Sequence, residues 1–276
     1  MSFAADSENT QKLFKARYRH GAPPIDAPLN AVLETLLSHR SVRGFIAQKI
    51  ADDDLRKIIA AAQSAATSSN LQAWSVVAVR DEAQKARMMV LCGNQKFIGA
   101  APLFLAWCAD LSRVRRVAGE RSLEGADYLE AFLLAVIDAA LAAQNAAIAA
   151  ESMGLGICYV GALRDDPLGV AEVLKLPPNV FGVFGMAVGV PDPAKPASVR
   201  PRLPQEAVLH FEEYKTDAEQ QAVETFNASH RDFQQEQNMK TIDWTDRVAA
   251  RLKDAKALDG RDVLRDVLKK LGFALR

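Results

Sequence analysis

Three short stretches of this chain gather side chains suited to holding an anion. "HRSVR" carries His39, Arg40, Ser41 and Arg43, "TSSN" carries Thr67, Ser68 and Ser69, and "RPR" sets Arg200 and Arg202 on either side of a proline. Guanidinium forks match phosphate or carboxylate oxygens in pairs, and hydroxyls add neutral donors. Each stretch falls at the end of an expected element, where backbone N–H groups lack partners. Each also has a plainer reading. "HRSVR" suits the negative end of a helix dipole, "TSSN" suits a helix exit, and "RPR" suits a solvated basic turn. Residue types alone therefore point to an anionic small-molecule site without choosing its ligand.

Other chemistries find little support. His20, His39, His210 and His230 are scattered and share no metal-ligand spacing with Cys92, Cys108 and Cys158. There is no phosphate-binding P-loop, and neither Ser41 nor Ser68 sits in a G-x-S-x-G elbow. "GLGICYVG" has the wrong spacing for a dinucleotide fingerprint and precedes a strand instead of following one. Gly154 and Gly156 read more simply as a helix C-cap and a turn. Lys plus Arg and Asp plus Glu both number 34, so no global charge draws the protein to nucleic acid or an anionic membrane. Three cysteines in apolar or mixed contexts read as free thiols of a cytoplasmic protein. The opening residues lack the apolar region of a secretory signal. The most apolar stretch, 129–150, is interrupted by Glu130, Asp138, Gln144 and Asn145, which favours a buried helix over a membrane span.

The elements that must position these residues follow from pattern. A chain of 276 residues is long enough for a substantial core. Residues 1–28 are polar and end in "GAPPIDAP", which predicts a loosely held, flexible leader. Leu29, Val32, Leu33, Leu36 and Leu37 have helical spacing and lead into "HRSVR". Asp52–Asp54 suit the capped start of a second helix. "WSVVAVRD", "APLFLAWCAD", "ICYVGAL" and "FGVFGMAVGVP" predict strands, with helices between them. An Ala-rich helix of about 25 residues should end at Gly154 and lie centrally, with a face available to a subunit interface. "EAVLHFEEY" reads as extended, and the polar tail from 214 as helical. The pattern predicts one central sheet in an α/β or α+β chain, taken here as α+β with a mixed sheet flanked by helices in three layers. The parts are a leader (1–28), a core (29–213) and a helical C-terminal extension (214–276) packing on the core or a partner.

Taken in order, "HRSVRGF", "AATSSNLQ", "GNQKFI", "AAQNAAIAAESMGLGICYVGAL" and "RPRLP" resemble the nitroreductase superfamily. The resemblance is strongest to its oxygen-insensitive nitroreductases and NADPH-linked FMN flavin reductases. It covers 29–213 densely and the tail loosely, and leaves the leader without a counterpart. It implies the nitroreductase fold, an intertwined homodimer and FMN at sites built from two subunits. It places His39, Arg40 and Ser41 at the phosphate and ribityl end, and Arg43 at the flavin N1/O2 edge. Thr67, Ser68 and Ser69 would come from the partner. Gln95 would bond the pyrimidine ring, Tyr159, Val160, Gly161 and Ala162 would run along the isoalloxazine, and Arg200 and Arg202 would close on the phosphate. A cation at N1/O2 favours two-electron chemistry.

The implied activity is ping-pong hydride transfer from NADPH or NADH to nitroaromatics, quinones or similar flat acceptors, with no catalytic side chain. A dedicated flavin reductase and a flavin-binding protein without turnover are the alternatives. Three departures from the family pattern stand out. Arg200 replaces a frequent Lys, and Ala162 replaces a Gly, adding a methyl beside the flavin. Gln235, nine positions before Trp244, replaces an Arg that serves the donor's 2′-phosphate, which leaves Arg261 as the matching cation, or as a plain surface charge.

Overall fold

Every residue of "LFLAWCAD" is buried, because this strand lies inside a sheet covered on both faces. The computed structural model describes the backbone of residues 3–276 and the side chains of residues 7–276. Its elements begin with α1 (Phe3–Tyr18), α2 (Ala31–Ser38), α3 (Asp52–Gln63), β1 (Trp74–Val79), α4 (Glu82–Leu91) and α5 (Lys96–Ala100). There follow β2 (Leu103–Asp110), α6 (Ser112–Ala118), α7 (Leu129–Ser152), β3 (Gly156–Val160), α8 (Pro167–Leu174) and β4 (Val180–Gly189). The last are α9 (Glu219–Glu236), α10 (Trp244–Arg251) and α11 (Leu264–Lys270). Contacts gather the chain into two units: residues up to Arg40 with Ser198–Leu258, and Ser41–Ala197 with Asp259–Arg276. The division expected from sequence, into leader, core and extension, cuts across this grouping.

The larger unit is α+β. Its sheet runs β1-β2-β4-β3 with every strand pair antiparallel, where a mixed sheet was expected. Parallel pairing appears as the isolated bridge Ser41–Ile157. Alternation on β2 sorts the core. Leu103, Leu105 and Trp107 pack against α3 and the alanines of α7, Ala142 to Ala150. Phe104 and Ala106 face Met88 of α4, Ile98 of α5 and Val170 of α8. Small side chains let α7 approach closely; its 24 residues end at Ser152, and Gly154 beyond the C-cap Met153, with φ of +78°, is the left-handed terminator expected. Leu268 and Phe273 of the C-terminal segment close the sheet's end against Phe181. Asp52, Asp53 and Asp54 occupy the first turn of α3, but none caps it: Ala51 holds the N-cap position, and Asp52 pairs with Arg80.

In the smaller unit, residues 3–18 of the leader form a helix whose Thr10, Phe14 and Arg17 are buried. "EAVLHFEEY" is not a strand; it holds a short 3-10 turn (Gln205–Ala207), followed by exposed Val208, Phe211 and Tyr214. Helix α9 buries Phe226, Phe233 and Gln234 on one face, as the amphipathic tail suggested.

Candidate functional site

In the larger unit a strap of residues 41–46 lies against the sheet. The Val42 N–H donates to the Ile157 carbonyl (2.8 Å), and the Ile46 N–H donates to the Val190 carbonyl (3.0 Å). The approach is close because residue 156 has no side chain: a Cβ there would lie 2.7 Å from Val42 Cγ2. Gly156 is therefore a strand residue selected by contact, where a turn was expected. The strap holds Ser41 and Arg43 exposed beside the strand that ends in Tyr159 and Val160. The Arg43 guanidinium sits 5.8 Å from the Phe97 ring centre, a cation–π position that leaves its donors available. Among the described residues no carboxylate forms an ion pair with Arg40, Arg43 or Arg202, and all three are exposed.

At the end of β3 the chain turns into a 3-10 helix, Gly161–Arg164. The Tyr159 ring packs edge-on to Phe184 at 5.3 Å, and its hydroxyl lies 3.4 Å from Gln144 Oε1. Burial, with the charge of Glu151 adding to it, raises the phenol well above its ordinary range. Ala162 is 7% exposed and packs with Val160, Leu163 and Val170. Gln95 follows two left-handed residues, Gly93 and Asn94, and starts α5.

Thr67, Ser68 and Ser69 are organised by a residue that the sequence reading did not single out for a role. Asp138 of α7 is 1% exposed. Its Oδ2 accepts from Thr67 Oγ1 (2.7 Å) and the Ala73 N–H (3.0 Å), and its Oδ1 accepts from the Ser68 N–H (3.2 Å). Ser69, Asn70 and Gln72 all have positive φ, a concentration of left-handed non-glycine backbone that is costly and persists only when held. The available signal was an acid in an otherwise apolar helix, which must be satisfied if buried. Next to Asp138, helix α7 exposes Leu129, Leu133, Ile137 and Leu141, each 43–56% exposed and spaced four apart along one ridge.

Arg261 belongs to this unit and is engaged. Its Nε (2.8 Å) and Nη2 (2.6 Å) both donate to Asp165 Oδ1, just past the Gly161–Arg164 turn. Cys92 and Cys108 are buried thiols pushed up to about 12, chiefly by burial, and no disulfide joins the three cysteines.

The smaller unit carries the other four candidates. His39 is the C-cap residue of α2, and Arg40 follows it. Arg200 and Arg202 flank buried Pro201, and the Arg200 guanidinium sits 5.7 Å from the Phe233 ring centre. A cavity of about 520 Å³ is lined there by Arg200, Arg202, Arg247, Trp244, Phe226 and His230, among others. His230 is held below its ordinary value by burial and by Arg247 and Arg200, with Asp243 opposing. Gln235 is exposed. No cluster of metal-ligating side chains occurs among the described residues.

The family models described as "Nitroreductase family" and "Nitroreductase family, C-terminal domain" match residues 36–190 and 200–276. An FMN reductase (NADPH) of Bacillus subtilis is 38% identical over 89% of this chain and 99% of its own length. An oxygen-insensitive NADPH nitroreductase of Salmonella typhimurium is 38% identical over 68% of this chain and 76% of its own length. The structure of an NADPH:FMN oxidoreductase from Vibrio harveyi, complexed with NAD+, superimposes with a TM-score of 0.80 at 33% identity, covering 90% of this chain and all of that one.

Proposed function

The chain belongs to the nitroreductase family, and from that premise we propose how its residues serve an FMN-dependent NAD(P)H oxidoreductase. The observation that carries the proposal is the set of exposed guanidinium groups, Arg40, Arg43 and Arg202, left without ion-pair partners at the family motifs. A phosphorylated flavin fits that donor set, since one end needs bidentate cations and the ring edge needs one more. FMN held there would supply the redox chemistry, hydride transfer between a nicotinamide donor and an acceptor.

The protein's share is binding and orientation. His39, Arg40, Ser41, Arg200 and Arg202 hold the phosphate and ribityl end. Arg43 lies at the N1/O2 edge, kept from collapsing onto a carboxylate by its seat on Phe97. Gln95 bonds the pyrimidine ring, and Tyr159 to Ala162 supply backbone along the ring. Nitroaromatics, quinones and similar flat acceptors then alternate with the donor in a ping-pong cycle. Free flavin is the second reading for the acceptor, favoured by the names of the FMN reductase relatives.

The exposed ridge of α7 supports a homodimer built on that face, a surface more apolar than a monomer normally leaves to water. Because Asp138 ties Thr67 and Ser68 to the same helix, this loop is carried to the partner's flavin. Buried cysteines outside any disulfide support a cytoplasmic setting. For the donor, the grip of Asp165 on Arg261 supports the reading that Arg261 braces the Gly161–Arg164 turn more than it selects a 2′-phosphate.

The test is colour and content. Purified protein should be yellow, release FMN stoichiometrically on denaturation, and bleach on anaerobic addition of NADPH or NADH. Colourless protein that takes up no FMN would refute the proposal.

A further inference from the structure

Arg17 lies in the last turn of α1, ahead of the region matched by the family models, and its side chain is 6% exposed. A guanidinium carries five N–H donors, and burying them requires acceptors. Nη1 donates to the Arg200 carbonyl (2.9 Å), and Nη2 donates to the carbonyls of Leu37 (2.9 Å) and His39 (2.7 Å). The backbone carbonyl of Arg17 accepts the N–H of Arg202 at 2.9 Å. One leader residue is thus bonded to both cationic turns, at His39 in one and at Arg200 and Arg202 in the other.

We propose that Arg17 is a positioning residue for the phosphate end of the flavin site, supplied by a leader that precedes the region matched by the family models; this rests on the FMN reading above. Each carbonyl it captures fixes the plane of a peptide unit. With the His39 and Arg200 peptides fixed, and Pro201 restricting φ between the two arginines, the side chains of Arg40, Arg200 and Arg202 start from anchored backbone. Phosphate then binds donors already in place, with less ordering to be done at the moment of binding. Arg17 is itself too buried to serve as a ligand contact. The leader is held to the same unit by further bonds: Arg19 donates to both carboxylate oxygens of Glu236 (2.7 Å each), and His20 Nε2 lies 2.7 Å from Asp232 Oδ2. Loss of the Arg17 contacts therefore leaves the segment attached.

The decisive measurement compares FMN with riboflavin, which has the same ring and ribityl chain but no phosphate. Full-length wild type, Arg17→Met and Arg17→Lys are titrated with each flavin. Arg17→Met should weaken FMN about tenfold or more while changing riboflavin by less than about twofold, and Arg17→Lys should recover part of the difference. Equal losses for both flavins, or no loss for either, would overturn the proposal. If Arg17→Met does not fold, Arg17→Lys decides alone: an unchanged FMN-to-riboflavin ratio refutes the role. Failure of the wild type to bind FMN would instead strike the functional reading beneath it.

Discussion

Thr67 donates its hydroxyl to Asp138 across 71 positions of sequence, at 2.7 Å, and so fastens the "TSSN" loop to the long central helix. The same carboxylate takes two backbone N–H groups, so removing it leaves three donors to find other partners. Asp138→Ala should cost about 3 kcal/mol of stability and detach the loop. Calorimetry reads the first effect. Loss of flavin from a still folded protein reads the second.

Arg43 has an aromatic seat and no carboxylate partner among the described residues. Arg43→Ala should weaken FMN binding at least about tenfold and shift its reduction midpoint negative, since a cation at the ring edge stabilises added electrons. Fluorescence titration and anaerobic redox titration measure these. Unchanged values in both would remove Arg43 from the site.

Ile137 stands in the middle of the exposed ridge on α7. A charge there opposes burial against a second copy. On the proposed homodimer, Ile137→Arg should yield monomers in sedimentation experiments and take activity with it, because Ser68 and Ser69 would then face no partner flavin. A fully active monomer would separate the loop from catalysis.

Arg261 already satisfies Asp165. Arg261→Ala should lower kcat/KM for NADPH and NADH by similar factors, changing their ratio by less than about threefold. A selective collapse with NADPH would assign the guanidinium to the 2′-phosphate after all.

Burial alone would raise the Asp110 carboxyl, yet hydrogen bonds from Ser112, Ser75 and the Arg113 N–H, with the Arg113 charge, hold it below its ordinary range. Below about pH 4 the unfolded chain takes up this proton before the folded one does. The stabilisation is therefore present at neutral pH and is lost as pH falls through the depressed folded value. Asp110→Asn should flatten the fall of Tm between pH 5 and pH 3, by about the full share that this group contributes.

Much of this was readable along the chain because the signals are local. Strand and helix periods, the Gly154 terminator and the runs of cations depend on neighbours within a few residues, and they located the elements and the family motifs. What was not readable there shares a physical cause. "EAVLHFEEY" has the composition of a strand but finds no edge to pair with, and pairing decides strands. The leader is polar in composition, yet Arg17 and Thr10 are buried because backbone carbonyls meet their donors.

By itself the sequence determined the element order, the balance of charge, and the residue types able to hold a phosphorylated ring, since these follow from side-chain chemistry and short-range periodicity. Only the tertiary structure decided which charges were already spent. Arg261 and Arg43 look alike in one dimension, but one meets Asp165 and the other meets an aromatic face. Pairing over a few ångströms joins positions nearly a hundred residues apart, and whether a buried donor finds its acceptor is settled by the packing of the fold.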